Sequence, residues 1–104
     1  VSEIRRGDIR RYEPVLARPG QSLYRVVVSP DAFNQSASPI VLGLHVVDHD
    51  PGGLLAVQTG SGGWALIPSI EGVHKRRLGE IVGRLTAEER EAVDRALKAV
   101  LDLD

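Results

Sequence analysis

The chain of 104 residues has no cysteine. That excludes a disulfide framework, a thiolate metal site and Cys-nucleophile chemistry together. Aromatic residues are almost as scarce, with one Phe, one Trp and two Tyr. Any surface that stacks nucleobases has only Tyr12, Tyr24, Phe33 and Trp64 to draw on, and Phe33 and Trp64 are expected in the core. Lysine is nearly absent too: Lys75 and Lys98 stand beside 11 arginines among the 13 basic residues. No apolar run approaches the roughly 18 residues that cross a bilayer. Residues 1–10 carry charges where a secretory leader has its apolar stretch. The expectation is a cytoplasmic protein with no membrane partner. A formal net charge of −1 excludes a polycation that coats nucleic acid, but leaves room for a local basic patch.

What is present is ordinary globular material, 42% hydrophobic and 26% charged. The length predicts a single domain over 1–104. Strands are expected at Asp8-Ile9-Arg10-Arg11-Tyr12, at the β-branched run Tyr24-Arg25-Val26-Val27-Val28, and over 39–47, 54–59 and 64–67. On the third of these, Ile40, Leu42, Leu44 and Val46 form an apolar stripe, opposite Val41, Gly43, His45 and Val47. Turns are expected at Pro51-Gly52-Gly53 and Gly60-Ser61-Gly62-Gly63. Ser29 as N-cap and Pro30 as first helical residue predict one helical turn over 29–34. Short glycine turns predict antiparallel pairing, and several short strands with one helix predict a mainly β, α+β fold, a small and partly closed barrel.

The C-terminal segment predicts a helix over 87–101. Thr86-Ala87-Glu88-Glu89 is a capping box, and Val93, Ala96, Leu97, Val100 and Leu101 fall on one stripe. Glu91 with Arg95, and Asp94 with Lys98, are spaced for i,i+4 pairs on the wet face.

Four segments, in order and spacing, carry a resemblance that runs through nearly the whole chain. They are Arg6-Gly7-Asp8-Ile9, Val26-Val27-Val28-Ser29-Pro30-Asp31-Ala32-Phe33-Asn34, Lys75-Arg76-Arg77-Leu78-Gly79-Glu80-Ile81-Val82-Gly83-Arg84-Leu85 and Val93-Asp94-Arg95-Ala96-Leu97-Lys98-Ala99-Val100-Leu101. Together the chain resembles the MazF/PemK family of toxin–antitoxin toxins. The resemblance implies an SH3-like small barrel of antiparallel strands with a C-terminal helix, the MazF/CcdB-like fold. It implies a homodimer that cuts single-stranded RNA by 2′-OH attack with no metal or other cofactor, and that a cognate antitoxin blocks. The alternative is a degenerate member that binds RNA or antitoxin without cleavage. A CcdB-like inhibitor of a protein target fits less well, because Leu101-Asp102-Leu103-Asp104 is acidic and non-aromatic.

The chemical positions depart from the family pattern. The family's Arg-Pro at the start of the second strand is matched by Leu23-Tyr24, and its Thr by Val46. Its acidic-Gln stretch becomes Pro68-Ser69, and the Arg after it becomes Glu71. The reaction still needs an acid, a base and a cation for the phosphorane. Arg25, two residues after Leu23 and on its face, reads equally as that cation or as a half-exposed arginine paired with a carboxylate. His45 is the residue with an ordinary pKa near neutrality that neighbours Val46. A one-residue step turns it to the other strand face, so it serves only through a bulge or a gap, and otherwise reads as a surface histidine. These two are the catalytic candidates. Arg18, in the loop Leu16-Ala17-Arg18-Pro19-Gly20, reads as a phosphate contact or a solvated charge. Lys75, Arg76 and Arg77, with Arg10 among the N-terminal arginines Arg5, Arg6, Arg10 and Arg11, are the other RNA-binding candidates. The arginines suit bidentate phosphate contacts. The competing reading pairs the 75–77 cluster with Glu71 and Glu80. Asp48-His49-Asp50 with His45 makes a poor metal site, since His45 and His49 lie roughly 13 Å apart in an extended strand. No metal site is expected.

Overall fold

The structure, a computed structural model, describes residues 3–52 and 55–102. Seven strands run β1 (Asp8–Tyr12), β2 (Tyr24–Val27), β3 (Ile40–Val47), β4 (Ala56–Gln58), β5 (Trp64–Leu66), β6 (Glu71–His74) and β7 (Leu78–Arg84). Two α-helices, α1 (Asp31–Asn34) and α2 (Ala87–Val100), join them, with 3-10 turns at Ile67–Ser69 and Lys75–Arg77. Every strand pair is antiparallel. The order is β4-β5-β3-β2-β1-β7, and β6 adds to β3. The turn expected at Pro51-Gly52-Gly53 and the strand start at Leu54 reach into residues outside the described ones, as do Leu103 and Asp104.

The barrel stays open: the outer strands β4 and β7 are not hydrogen-bonded to each other. They meet instead through the turn 59–63, where Gly62 has φ +93, a conformation that glycine adopts without strain. Ser61 of that turn presses on β7 at Gly83, where an added Cβ would collide with the serine side chain. The sequence pattern had no strand at β6 or β7. Gly79 and Gly83 remove side chains that would have marked β7, and of its positions only Leu78 is buried.

Both sheet faces are covered, which the single stripe on β3 did not anticipate. Beneath α2 lies one core of Ile9, Val26, Val28, Leu44, Val46, Ala65, Ile67, Leu85 and Val93. On the other face Ile4, Val27, Val41, Val73 and Leu78 form a second, with Tyr12 packed against it. Strand alternation divides Val26 from Val27 and Leu44 from Val41. Leu42, counted in the stripe, is 40% exposed. Phe33, expected in the core, is 41% exposed.

Both ends of the helical prediction differ in detail. α1 begins at Asp31, and Pro30 stands at the N-cap without a side-chain bond. Ser29 Oγ accepts from the Leu42 amide at 3.1 Å, and Asn34 Nδ2 donates to the Ser29 carbonyl at 2.8 Å. Ser29 therefore anchors α1 to β3 rather than capping it. In α2 the expected capping box forms. Thr86 Oγ1 accepts from the Glu89 amide at 3.1 Å, and Glu89 Oε1 accepts from the Thr86 amide at 2.8 Å. Glu89 Oε2 also accepts from the Gly60 amide at 2.6 Å, so the cap pins the 59–63 turn to the helix. The apolar stripe ends early, because Val100 and Leu101 are 42% and 49% exposed. Asp94 pairs with Arg6 rather than Lys98. Replacing Thr86 with Ala removes an acceptor from an N-terminal amide, and should lower unfolding free energy by about 1 kcal/mol in denaturant melts.

Candidate active site

Three basic side chains lie in one row across the middle of the sheet. Arg10 of β1 is opposite Arg25 of β2, and Arg25 is opposite His45 of β3. Direct cross-strand partners share a face, and like charges in that arrangement repel. Each end of the row is therefore supplied with a carboxylate.

Asp8 holds Arg10. Both side chains are 1% exposed, and Arg10 Nη2 and Nε lie 3.1 and 3.3 Å from Asp8 Oδ2. Arg10 also donates to the carbonyls of Gly79 at 3.2 Å and Glu3 at 2.8 Å. Asp8 Oδ1 takes Arg84 Nε at 3.3 Å, and Oδ2 takes the Arg5 amide at 3.0 Å. Arg10, expected on an RNA surface, is instead a structural cation that stitches β1 to β7. The alternation that buries it turns its neighbour Arg11 outward.

Arg25 is also buried, its side chain 2% exposed. Nη1 donates to the carbonyls of Ser22 at 3.0 Å and Tyr24 at 2.9 Å. The guanidinium carbon lies 4.2 Å from the Tyr12 ring centroid, in cation–π range. Nε is the one buried side-chain polar atom among the described residues without a hydrogen bond. Its nearest counter-charge is Glu71 Oε1, 3.8 Å away. Burial pulls the Arg25 pKa below its ordinary value, and the Glu71 carboxylate opposes that pull. Of the two sequence readings, pairing with a carboxylate is the observed one, and the site is more closed than half-exposed.

Glu71 does double duty, because the same Oε1 also contacts His45 Nε2. Glu71 sits opposite Gly43, which is itself opposite Val27. With no side chain at 43, nothing stands between the glutamate and Arg25. A Cβ there would lie 3.7 Å from Arg25 Cβ and 3.1 Å from Val73 Cγ2. His45 occupies a break in the β3 edge, which pairs β6 over 40–43 and β5 over 46–47. Its amide, lacking a strand partner there, donates to Ser69 Oγ at 2.9 Å. The break leaves the ring 30% exposed. Its Nδ1 has no hydrogen-bond partner among the described residues and is not buried.

His45 thus reaches the face of Arg25 with no bulge at that step. His45 and Val46 point apart, as strand alternation requires, and Val46 is the one turned away from Arg25, 7% exposed in the core under α2. A hollow of about 380 Å³ occupies the matched Arg-Pro and Thr positions, where Leu23, Tyr24 and Val46 stand, and Gln21, Ser22, Asp48 and His49 help line its rest. Glu71 and Ser69 were passed over as site residues. Their signal was the local departure from the family pattern, but the pairing of β6 with β3 was not readable.

The remaining cations divide. Lys75 Nζ is tied to the Ser36 carbonyl at 2.8 Å. Arg76 and Arg77 border an open groove with Glu13 and Gly79, and neither pairs with Glu71 or Glu80 among the described residues. Arg18 sits in an exposed loop, its backbone turned by Gln21. His49 Nδ1 lies 3.0 Å from Asp48 Oδ1, and that hydrogen bond holds the Asp48 carboxyl below its usual pKa. No group of three His, Asp or Glu side chains is placed to hold a metal ion among the described residues.

Comparison with known proteins matches residues 5–101 to the family described as PemK-like, MazF-like toxin of type II toxin–antitoxin system. Among solved structures, MazE–MazF (Form-III) from Deinococcus radiodurans aligns with a TM-score of 0.84 at 17% identity, covering 99% of this chain and 100% of that one. An endoribonuclease from a mycobacterial species aligns at 0.79 and 23%, covering 98% and 94%. A mycobacterial endoribonuclease in complex with its cognate antitoxin aligns at 0.73 and 21%, covering 100% and 98%. These likenesses establish the fold. No curated protein matches by sequence. Asp8→Ala removes the buried carboxylate that Arg10 and Arg84 share and should cost about 3–5 kcal/mol, read as a lower denaturant midpoint.

Proposed function

Because the chain belongs to the PemK-like, MazF-like toxins of type II toxin–antitoxin systems, we propose that it cleaves single-stranded RNA, with His45 as the proton-handling group. It does so as a cytoplasmic homodimer under the control of a cognate antitoxin. The observation that carries this reading is the cross-strand placement of His45 beside Arg25 and Glu71, its ring half-open and Nδ1 unoccupied.

The chemistry balances without a cofactor. His45 Nδ1 takes the ribose 2′-OH proton, and the 2′ oxygen attacks the adjacent phosphorus. The P–O5′ bond breaks, and the 5′ oxygen leaves with the proton that the His45 imidazolium gives back, which returns the ring to its neutral form. The products are a 2′,3′-cyclic phosphate and a 5′-hydroxyl. Glu71 stabilises the imidazolium that forms in between, as a carboxylate does when bonded to the far ring nitrogen. Arg25 is too enclosed to clasp a phosphate in two bonds. Its charge acts from below, and Arg18, Arg76 and Arg77 are the cations with freedom to reach the RNA backbone. A second reading, binding without turnover, is favoured by Leu23 and Val46 at the family's chemical positions.

Incubation of the purified protein with mixed-sequence single-stranded RNA in EDTA tests the proposal. Cleavage should persist, and the ends should be 2′,3′-cyclic phosphate, or its opened form, and 5′-hydroxyl. Loss of cleavage in EDTA with recovery on magnesium would overturn the mechanism. Intact RNA under all conditions, with the antitoxin bound tightly, would establish the second reading.

A further inference from the structure

Resting on that reading only for its consequence in catalysis, we propose that Arg25, Glu71 and His45 form a relay in which neither Arg25 nor Glu71 touches substrate. Glu71 is a positioning residue that holds the proton on His45 Nε2. Arg25 is a positioning residue that holds Glu71.

Arg25 is a buried cation. A buried cation is retained only with a counter-charge. Asp8 is occupied by Arg10 and Arg84, which leaves Glu71, 3.8 Å from the orphan Nε. An ionised carboxylate only accepts hydrogen bonds. Its contact with Nε2 therefore requires the proton on that nitrogen, and the hydrogen bond at one ring nitrogen decides the state of the other. The lone pair is left on Nδ1, the unoccupied nitrogen. The backbone holds both ends of the relay: Ser69 Oγ fixes the His45 amide, and the Ser22 and Tyr24 carbonyls fix the guanidinium.

The charged and titratable groups around Glu71 agree with this. From β1 come Tyr12, whose ring lies against Arg25, and Arg10, whose charge is already met by Asp8. β2 supplies Arg25 and β3 supplies His45. No second carboxylate pairs with either Arg25 or His45 among the described residues. The relay also accounts for Gly43, whose missing side chain opens the line from Arg25 to Glu71.

The test reads the imidazole directly and needs no RNA. In protein labelled with nitrogen-15 at histidine, the His45 Nε2–H proton should be visible and protected from exchange with water. A charge-assisted hydrogen bond is roughly twice as strong as a neutral one, so Glu71→Gln should speed that exchange by about tenfold or more. Arg25→Met should do the same, although it leaves His45 and Glu71 in place, and Arg25→Lys should stay near the wild type. On RNA, both disruptive variants should lower kcat by about 10- to 100-fold with KM little changed. An unprotected Nε2 in the wild-type protein overturns the relay, whichever variants fold. So does unchanged exchange in folded Arg25→Met. A protected Nε2–H in a protein that cuts no RNA would leave the relay standing and remove the nuclease reading.

Discussion

Everything on the face of this sheet that α2 leaves uncovered depends on one register, the row Arg10–Arg25–His45 across β1, β2 and β3. Three basic groups in line are a liability in a small domain, because buried charges are costly and like charges oppose each other. The chain resolves this with one carboxylate at each end. Asp8 gathers Arg10 and Arg84, and Glu71 gathers Arg25 and His45. The two ends differ in exposure. The Asp8 end is sealed and tethers β7, while the Glu71 end opens at the gap between β5 and β6. One arrangement of charge thus serves structure at one end and leaves a titratable group at the surface of the other.

The strands could be read from β-branched runs and glycine turns, and α2 from its capping box, because those signals are local. β6 and β7 could not, since Gly72, Gly79 and Gly83 interrupt the pattern where neighbouring segments press close. At Gly72 an added Cβ would lie 3.1 Å from Ile40 Cγ2. The site was legible in part. Arg25 and His45 were both singled out by residue type and position, but the histidine only through a bulge or a gap, because it faces away from Val46. Whether two strands place them together is a question of register, and register is set between strands rather than within one. Arg10 shows the same limit. Its sequence neighbourhood is basic, but a single step along β1 separates a sealed ion pair from the exposed Arg11.

The departure from the family pattern at positions 23 and 46 then acquires a physical meaning. Those positions put Leu23 and Val46 in the wall of a hollow, while the Arg25–Glu71–His45 cluster stands on the other face of the sheet. Glu71 replaces a residue that the resemblance gives as arginine, and Ser69 stands in the stretch that the resemblance gives as acidic-Gln. Both substitutions converge on His45, one at its ring and one at its amide. Changes scattered along the chain are in this way local in space.

The account stands or falls on His45 as the group that moves the proton. A single-turnover time course on single-stranded RNA, comparing the wild-type protein with His45→Gln, measures this most directly. The Arg25–Glu71 pair remains in the variant, so circular dichroism should report an unchanged fold. Loss of a positioned general base typically costs a factor of about 10² to 10⁴, and the variant's cleavage rate should fall within that range. Cleavage by folded His45→Gln at the wild-type rate would contradict the account.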